Sequence, residues 1–298
     1  MGGANEVLVS TQWLADNVNA ENQRIVDCSW YLPELKRDAL AEYRAKHLPG
    51  AVRFDIDDIA EHESLGAHML PPASVFAEKA GQLGIDNETR VVVYDTNYVS
   101  ARVWWMFRVF GHDNVVVLDG GLTKWLAEGR PVDSGEVSVV PRTFIARKRP
   151  GLVADWREVL ENLPAWRAQL LDARTAQRYS GELPTGYPGI ASGHVPGSIN
   201  VPWDTIQNPA TKEFLPTNEL RLRFLSASVD IDRPIIAMCG SGVTACILAL
   251  SLHRLGKSNW KVYDGFWHEW AQRPEGPKIW AAEKLDATGE HHGGALET

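Results

Sequence analysis

The sequence predicts an α/β protein built from two copies of one domain, each with a mostly parallel sheet flanked by helices. Three observations predict it. Short β-branched runs alternate with longer stretches of helical period, the pattern of parallel strands joined through helices. The runs "VVVY", "VVVL", "LLD", "PIIAM" and "KVY" are apolar on both faces, as strands buried between helices must be. The chain also repeats itself at long range: "HLPGAVRFDI" (His47–Ile56) returns as "HVPGSINVPW" (His194–Trp203). The repeat is too long for a solenoid and reads as a duplicated domain.

In chain order, "RIVDCSWY" (Arg24–Tyr31) carries a strand that ends at Cys28, and it is matched by "QLLDARTA" (Gln169–Ala176). A strand-then-helix unit, "RVVVYDTNYVSARVWWMFRVFG" (Arg90–Gly111), aligns with "PIIAMCGSGVTACILALSLHRLG" (Pro234–Gly256). "VVVLDGGLTKWLAEGRP" (Val115–Pro131) aligns with "WKVYDGFWHEWAQRP" (Trp260–Pro274). Between the copies, Val132–Pro150 is polar and punctuated by Pro and Gly. The junction is expected there, giving a first domain over 1–140 and a second over 141–280. In the second copy, "ADWREVLENL" and "TNELRLRFL" read as amphipathic helices, the latter capped by Thr217 with Glu219 behind it. The tail 281–298 has little apolar content and is expected to be flexible.

Composition bounds the function. The chain has 298 residues, 44% hydrophobic and 23% charged, enough for two domains with sizeable cores. A net charge of −8 and a pI of about 5.6 provide no global basic field. Nucleic acid and anionic membranes are therefore not expected as partners, although a local basic pocket remains open. Three cysteines, Cys28, Cys239 and Cys246, form no CxxC spacing, so neither a disulfide framework nor a metal site is expected. The opening "MGGANEVLVS" is not patterned as a signal peptide, and no apolar run reaches spanning length. A soluble, cytoplasmic protein with free thiols is expected.

The chemistry centres on "CGSGVTAC" (Cys239–Cys246), which lies between a strand and a helix. Ligands collect at the carboxyl ends of strands in such sheets, and Cys239 is at one. Gly240 and Gly242 permit positive φ, so the loop can curl with its amides pointing inward. The helix that follows adds unpaired N–H groups and its positive dipole end. That cradle favours the thiolate and sharpens Cys239 as a nucleophile. The competing reading, a small buried hydrophobe, fits Cys246 and Cys28 better than Cys239. A C-x5-R phosphatase is not expected, because the arginine position is Ala245 and no guanidinium from the loop grips the phosphate.

The duplication, the paired H-x-P-G segments and "CGSGVTA" resemble a tandem-domain sulfurtransferase of the rhodanese superfamily. The loop Cys239–Gly240–Ser241–Gly242–Val243–Thr244 is similar to that of the 3-mercaptopyruvate sulfurtransferases, whereas thiosulfate-using rhodaneses carry basic residues at Gly240 and Ser241. The resemblance implies two rhodanese-like domains with five-stranded sheets, the first of them non-catalytic; Asp95 stands where that copy would need a cysteine. It implies transfer of sulfur from 3-mercaptopyruvate through a Cys239 persulfide to a thiol acceptor, such as thioredoxin or a small dithiol, or to cyanide. Pyruvate is released, and no cofactor is required. It further implies a Ser241–His68–Asp57 proton relay, donor-anion binding by Arg178, and donor contacts from Gly240, Gly242, Val243 and Thr244. Arg174 either shares that anion or pairs with a carboxylate.

One departure stands out. A second substrate arginine expected about nine residues beyond Arg178 is missing, and Tyr187 is the nearest match. Tyr187 can donate only a weaker, neutral hydrogen bond there, so affinity for 3-mercaptopyruvate is reduced, another arginine such as Arg102 substitutes, or the donor differs. Two alternatives stay open: a thiosulfate:cyanide sulfurtransferase, and a persulfide carrier or sensor. Trp30, Trp104, Trp105, Trp203, Trp267 and Trp270 are expected in cores or the domain seam. "YDGFWHEW" (Tyr263–Trp270) is expected to edge the cleft, and His47 and His194 to fix loop geometry.

Overall fold

A computed structural model describes residues 7–96 and 98–280. The first half runs β1 (Leu8–Val9), α1 (Thr11–Asn17), β2 (Gln23–Asp27), α2 (Ala39–Ala45), β3 (Val52–Arg53) and α3 (Ala73–Gln82). It continues with β4 (Arg90–Tyr94), α4 (Ser100–Val109), β5 (Val115–Leu118) and α5 (Gly121–Ala127). The second half runs β6 (Val153–Ala154), α6 (Trp156–Asn162), β7 (Gln169–Asp172), α7 (Ala176–Ser180), β8 (Gly193–His194) and β9 (Ile199–Asn200). Then come α8 (Thr217–Ser226), β10 (Ile235–Met238), α9 (Ala245–Arg254), β11 (Trp260–Tyr263), α10 (Phe266–Trp270) and β12 (Ile279–Trp280). The tail over 281–298, expected to be flexible, lies outside the described residues.

Each half forms a five-stranded sheet, ordered β1-β5-β4-β2-β3 and β6-β11-β10-β7-β9. Every pairing within the two sheets is parallel, so the two orders superpose strand for strand. The central strands β5, β7 and β10 are buried along their whole length and β4 everywhere but at Arg90, as the apolar runs within them require. A short antiparallel pair, β8 with β12, lies apart from both sheets and was not expected from sequence.

Local chemistry starts the helices. Ser10, Asp38 and Asp155 accept from the backbone N–H groups of Trp13, Ala41 and Glu158 and cap α1, α2 and α6. Thr217 does not cap α8 as expected. The extended backbone of Pro216 takes the cap position, and Thr217 becomes the first helical residue.

The halves meet along α4 and α9, which pack against each other. Both are buried almost throughout, α9 from Ala245 to Leu252, because each is held between its own sheet and the other half. Trp104 of α4 reaches His253 and Trp260, with ring centroids 5.5 and 6.1 Å away, and one hydrophobic core runs through both halves. Fully burying one aliphatic side chain such as Leu248 or Leu252 of α9 stabilises by roughly 1.5–3 kcal/mol, so this seam fixes the relative placement of the two halves. His47 and His194 play matching parts. Each bonds a carbonyl through Nδ1, of Tyr43 (2.9 Å) and Tyr179 (3.1 Å), and stacks on that same tyrosine.

Candidate active site

Cys239 follows the last residue of β10, at the carboxyl edge of the second sheet. The Trp267 N–H donates to the Cys239 carbonyl (2.8 Å) and the His268 N–H to the Gly240 carbonyl (3.0 Å). In a trans peptide the N–H opposes the C=O, so the amides of Gly240 and Ser241 face the other way, away from α10. The Gly242 N–H donates to the Cys239 sulfur at 3.1 Å. No side chain caps α9, so its dipole end is left directed at the loop.

The two glycines do different work. Gly242 has φ +96°, and a Cβ there would lie 2.1 Å from the Phe266 ring. Gly240 does not use positive φ, which corrects the sequence expectation, and a Cβ there would meet only Arg174 at 3.8 Å. Gly242 holds the turn, while Gly240 leaves space above the sulfur.

That space is a cavity of about 240 Å³ between the halves. Its lining includes Cys239, Gly240, Ser241, Val243 and Thr244 from the loop, and Arg178, Thr185 and Tyr187 from the segment after β7. Gly242, expected to contact the donor, is turned toward Phe266 and is not among the lining residues. The cavity also takes residues that sequence reasoning had not placed there: Leu32, Glu34, Leu35 and Tyr98. Trp30 and Trp203, expected as packing residues, line it too.

His68 and Asp57 stand beside the loop rather than in the cavity. His68 Nε2 is 2.6 Å from Asp57 Oδ1, and its Nδ1 is 3.3 Å from the main-chain carbonyl of Ser241. The expected three residues are brought together, but the link to Ser241 runs through its carbonyl and not its hydroxyl. The Trp30 indole N–H donates to Asp57 Oδ2 (2.9 Å), and its ring meets the His68 ring edge-on. Burial works against ionisation of Asp57, but the His68 contact, the Trp30 bond and the Arg53 charge outweigh it and hold the carboxyl below its usual range.

The arginines divide their roles. Arg178 on α7 donates to the Pro184 carbonyl (2.7 Å) and pairs with Glu34 from the first half. Arg174 is buried and forks onto Asp172 (Nη2–Oδ2 2.6 Å), the carboxylate alternative of the two expected for it, although it still lines the cavity. Arg102 is not a replacement clamp. It is fully buried beneath the loop, bonded to the His68 carbonyl and 3.4 Å from Asp264, and so ties the His68 segment to the second half. Tyr187 is partly buried, and burial pushes its phenol well above the usual range despite the nearby Ser241. Its hydroxyl has no hydrogen-bond partner among the described residues.

Cys28 and Cys246 are buried, and burial raises both thiols well above the usual range, as befits packing residues. In the first half, the Leu122 N–H bonds the Asp95 carbonyl (2.8 Å), just as Trp267 bonds that of Cys239. Asp95 turns its carboxylate onto the Ser100 N–H at the start of α4. Among the described residues no three or more His, Cys, Asp or Glu are grouped to hold a metal, and no helix is long and apolar enough to cross a membrane.

The family model described as Rhodanese-like domain matches this chain twice, over residues 10–128 and 155–273. A 3-mercaptopyruvate sulfurtransferase of Mus musculus is 44% identical over 276 residues, covering 90% of this chain and 93% of the relative. A thiosulfate sulfurtransferase of Bos taurus is 43% identical over 285 residues, covering 93% and 95%. The crystal structure of SseA from Escherichia coli, presented as a 3-mercaptopyruvate sulfotransferase with the rhodanese fold, matches with a TM-score of 0.81 and 35% identity. That match covers 88% of this chain and 99% of the other.

Proposed function

The chain belongs to the rhodanese-like family and is a sulfurtransferase, and from that premise we propose that it takes sulfur from 3-mercaptopyruvate through a persulfide on Cys239. The observation that carries this reading is the Cys239 sulfur, bonded to the Gly242 amide in a cavity that also holds Arg178. Arg178 binds the donor carboxylate, and Thr244, Ser241 and Tyr187 offer hydroxyls near the reacting end. The Cys239 thiolate attacks the donor sulfur. The carbon–sulfur bond breaks with its electron pair passing to carbon, and the resulting pyruvate enolate takes a proton. A thiol acceptor, such as a small dithiol or thioredoxin, then attacks the outer sulfur and restores the Cys239 thiolate. Asp57 and His68 keep the loop placed through the Ser241 carbonyl and keep a proton-bearing ring beside it. Three unpaired cysteines fit a reducing compartment such as the cytoplasm.

The neutral Gly240 and Ser241 favour this donor over thiosulfate, a dianion that calls for more positive charge. Steady-state assays of both donors with excess dithiol test the reading, in wild type and Cys239→Ser. The wild type is expected to turn over many times, with the higher kcat/KM for 3-mercaptopyruvate, and Cys239→Ser to fold normally without turnover. Preference for thiosulfate would make the protein a thiosulfate sulfurtransferase. A single burst of pyruvate would make it a carrier, and an active Cys239→Ser would remove the nucleophile.

A further inference from the structure

Glu34 reaches the cavity from the non-catalytic half. It sits in a short 3-10 turn, Pro33–Leu35, which ends at Lys36 in left-handed conformation (φ 49°). Its Oε1 accepts from Arg178 Nη2, an ion pair that crosses from one half of the chain to the other. The Arg178 side chain is 17% exposed and that of Glu34 is 40%, so the carboxylate is the member free to turn toward solvent. The other cavity arginine, Arg174, already faces Asp172. Each guanidinium in the cavity is thus matched by a carboxylate, and the remaining polar side chains that line the cavity, of threonine, serine and tyrosine, are neutral.

We propose that Glu34 is a specificity-determining residue that sets the charge of the sulfur donor, by holding the face of Arg178 that a donor anion needs. This rests on the reading that Arg178 binds the donor. A monoanionic mercapto-carboxylate displaces Glu34 and takes its place. A dianionic donor such as thiosulfate meets the same carboxylate, displaced but still nearby, with twice the charge of the monoanion, and is repelled twice as strongly in energy. A penalty of a given factor for a monoanion therefore becomes its square for a dianion.

Glu34→Gln tests this, since it keeps the shape of a partly exposed turn and removes only the charge. For a partly exposed pair, KM for 3-mercaptopyruvate is expected to fall about threefold and kcat/KM for thiosulfate to rise about ninefold. Donor preference then shifts toward the dianion, and added salt narrows the difference between variant and wild type. Equal change for both donors, no change, or a rise in KM overturns the proposal. Arg178→Ala in the same assays separates the two levels. If it leaves KM for both donors unmoved, the donor anion is not held there and both readings fall. If it raises KM steeply while Glu34→Gln leaves the preference unchanged, only the role of Glu34 falls.

Discussion

Asp119, just after β5, carries a carboxylate at the contact between the halves, where its Oδ1 accepts from the Phe214 N–H at 2.8 Å. Burial pushes it up to about 6, with Glu213 adding to the rise and with the Phe214 bond, Arg254 and Lys124 opposing it. The folded chain thus binds this proton more tightly than the unfolded chain. The cost of the ionised form is absent below the unfolded pKa, grows as pH rises toward 6, and is complete above it. Asp119→Asn keeps an acceptor for Phe214 and removes that cost. It is expected to stabilise the protein at pH ~7.5 by roughly 1–3 kcal/mol, with the gain gone by pH ~4. Denaturant unfolding at the two pH values measures it, and an unchanged midpoint at the higher pH would mean that the carboxylate is not held in a costly environment. Single residues were unevenly legible. Cys239 stood out in sequence because two glycines follow it at a strand end, and it lines the cavity. Asp119 showed no signal, because its environment comes from Phe214 and Arg254, 95 and 135 positions away along the chain.

The loop from β10 to α9 is the element on which the proposed chemistry depends, and its shape has one steric anchor. Gly242→Ala must accept φ +96° and a Cβ 2.1 Å from the Phe266 ring, whereas Gly240→Ala meets nothing closer than 3.8 Å. The first is expected to cost roughly 2–4 kcal/mol and to remove most activity, and the second to leave the melting temperature near that of wild type. Thermal unfolding of both variants checks this; equal losses would show that Gly242 does not set the turn. The long buried strands were legible because four or five consecutive apolar residues leave no polar face. The two-residue strands β1, β3, β6, β8, β9 and β12 were not, since so short a run carries no period. The Thr217 cap was misread for a local reason: the proline before it fixes an extended backbone where the cap residue sits.

At the scale of the whole molecule, duplication has produced two sheets of one topology and one cavity that needs both. The repeat was visible in the sequence, and so was Asp95 at the position that matches Cys239. What the repeat could not reveal is that Trp30, Glu34 and Tyr98 of the first half line the cavity of the second. Contacts across a seam depend on how the α4 and α9 faces dock, and no single segment encodes that. Arg102 shows the same limit: its sequence offered a substrate clamp, and the packing places it under the loop as a tether for His68. The most direct measurement is the mass of the intact protein and its peptides after brief exposure to 3-mercaptopyruvate without acceptor. The account predicts one added sulfur atom, on the peptide bearing Cys239, removed again by a dithiol. No added sulfur, or sulfur on the peptide bearing Cys28, would contradict it.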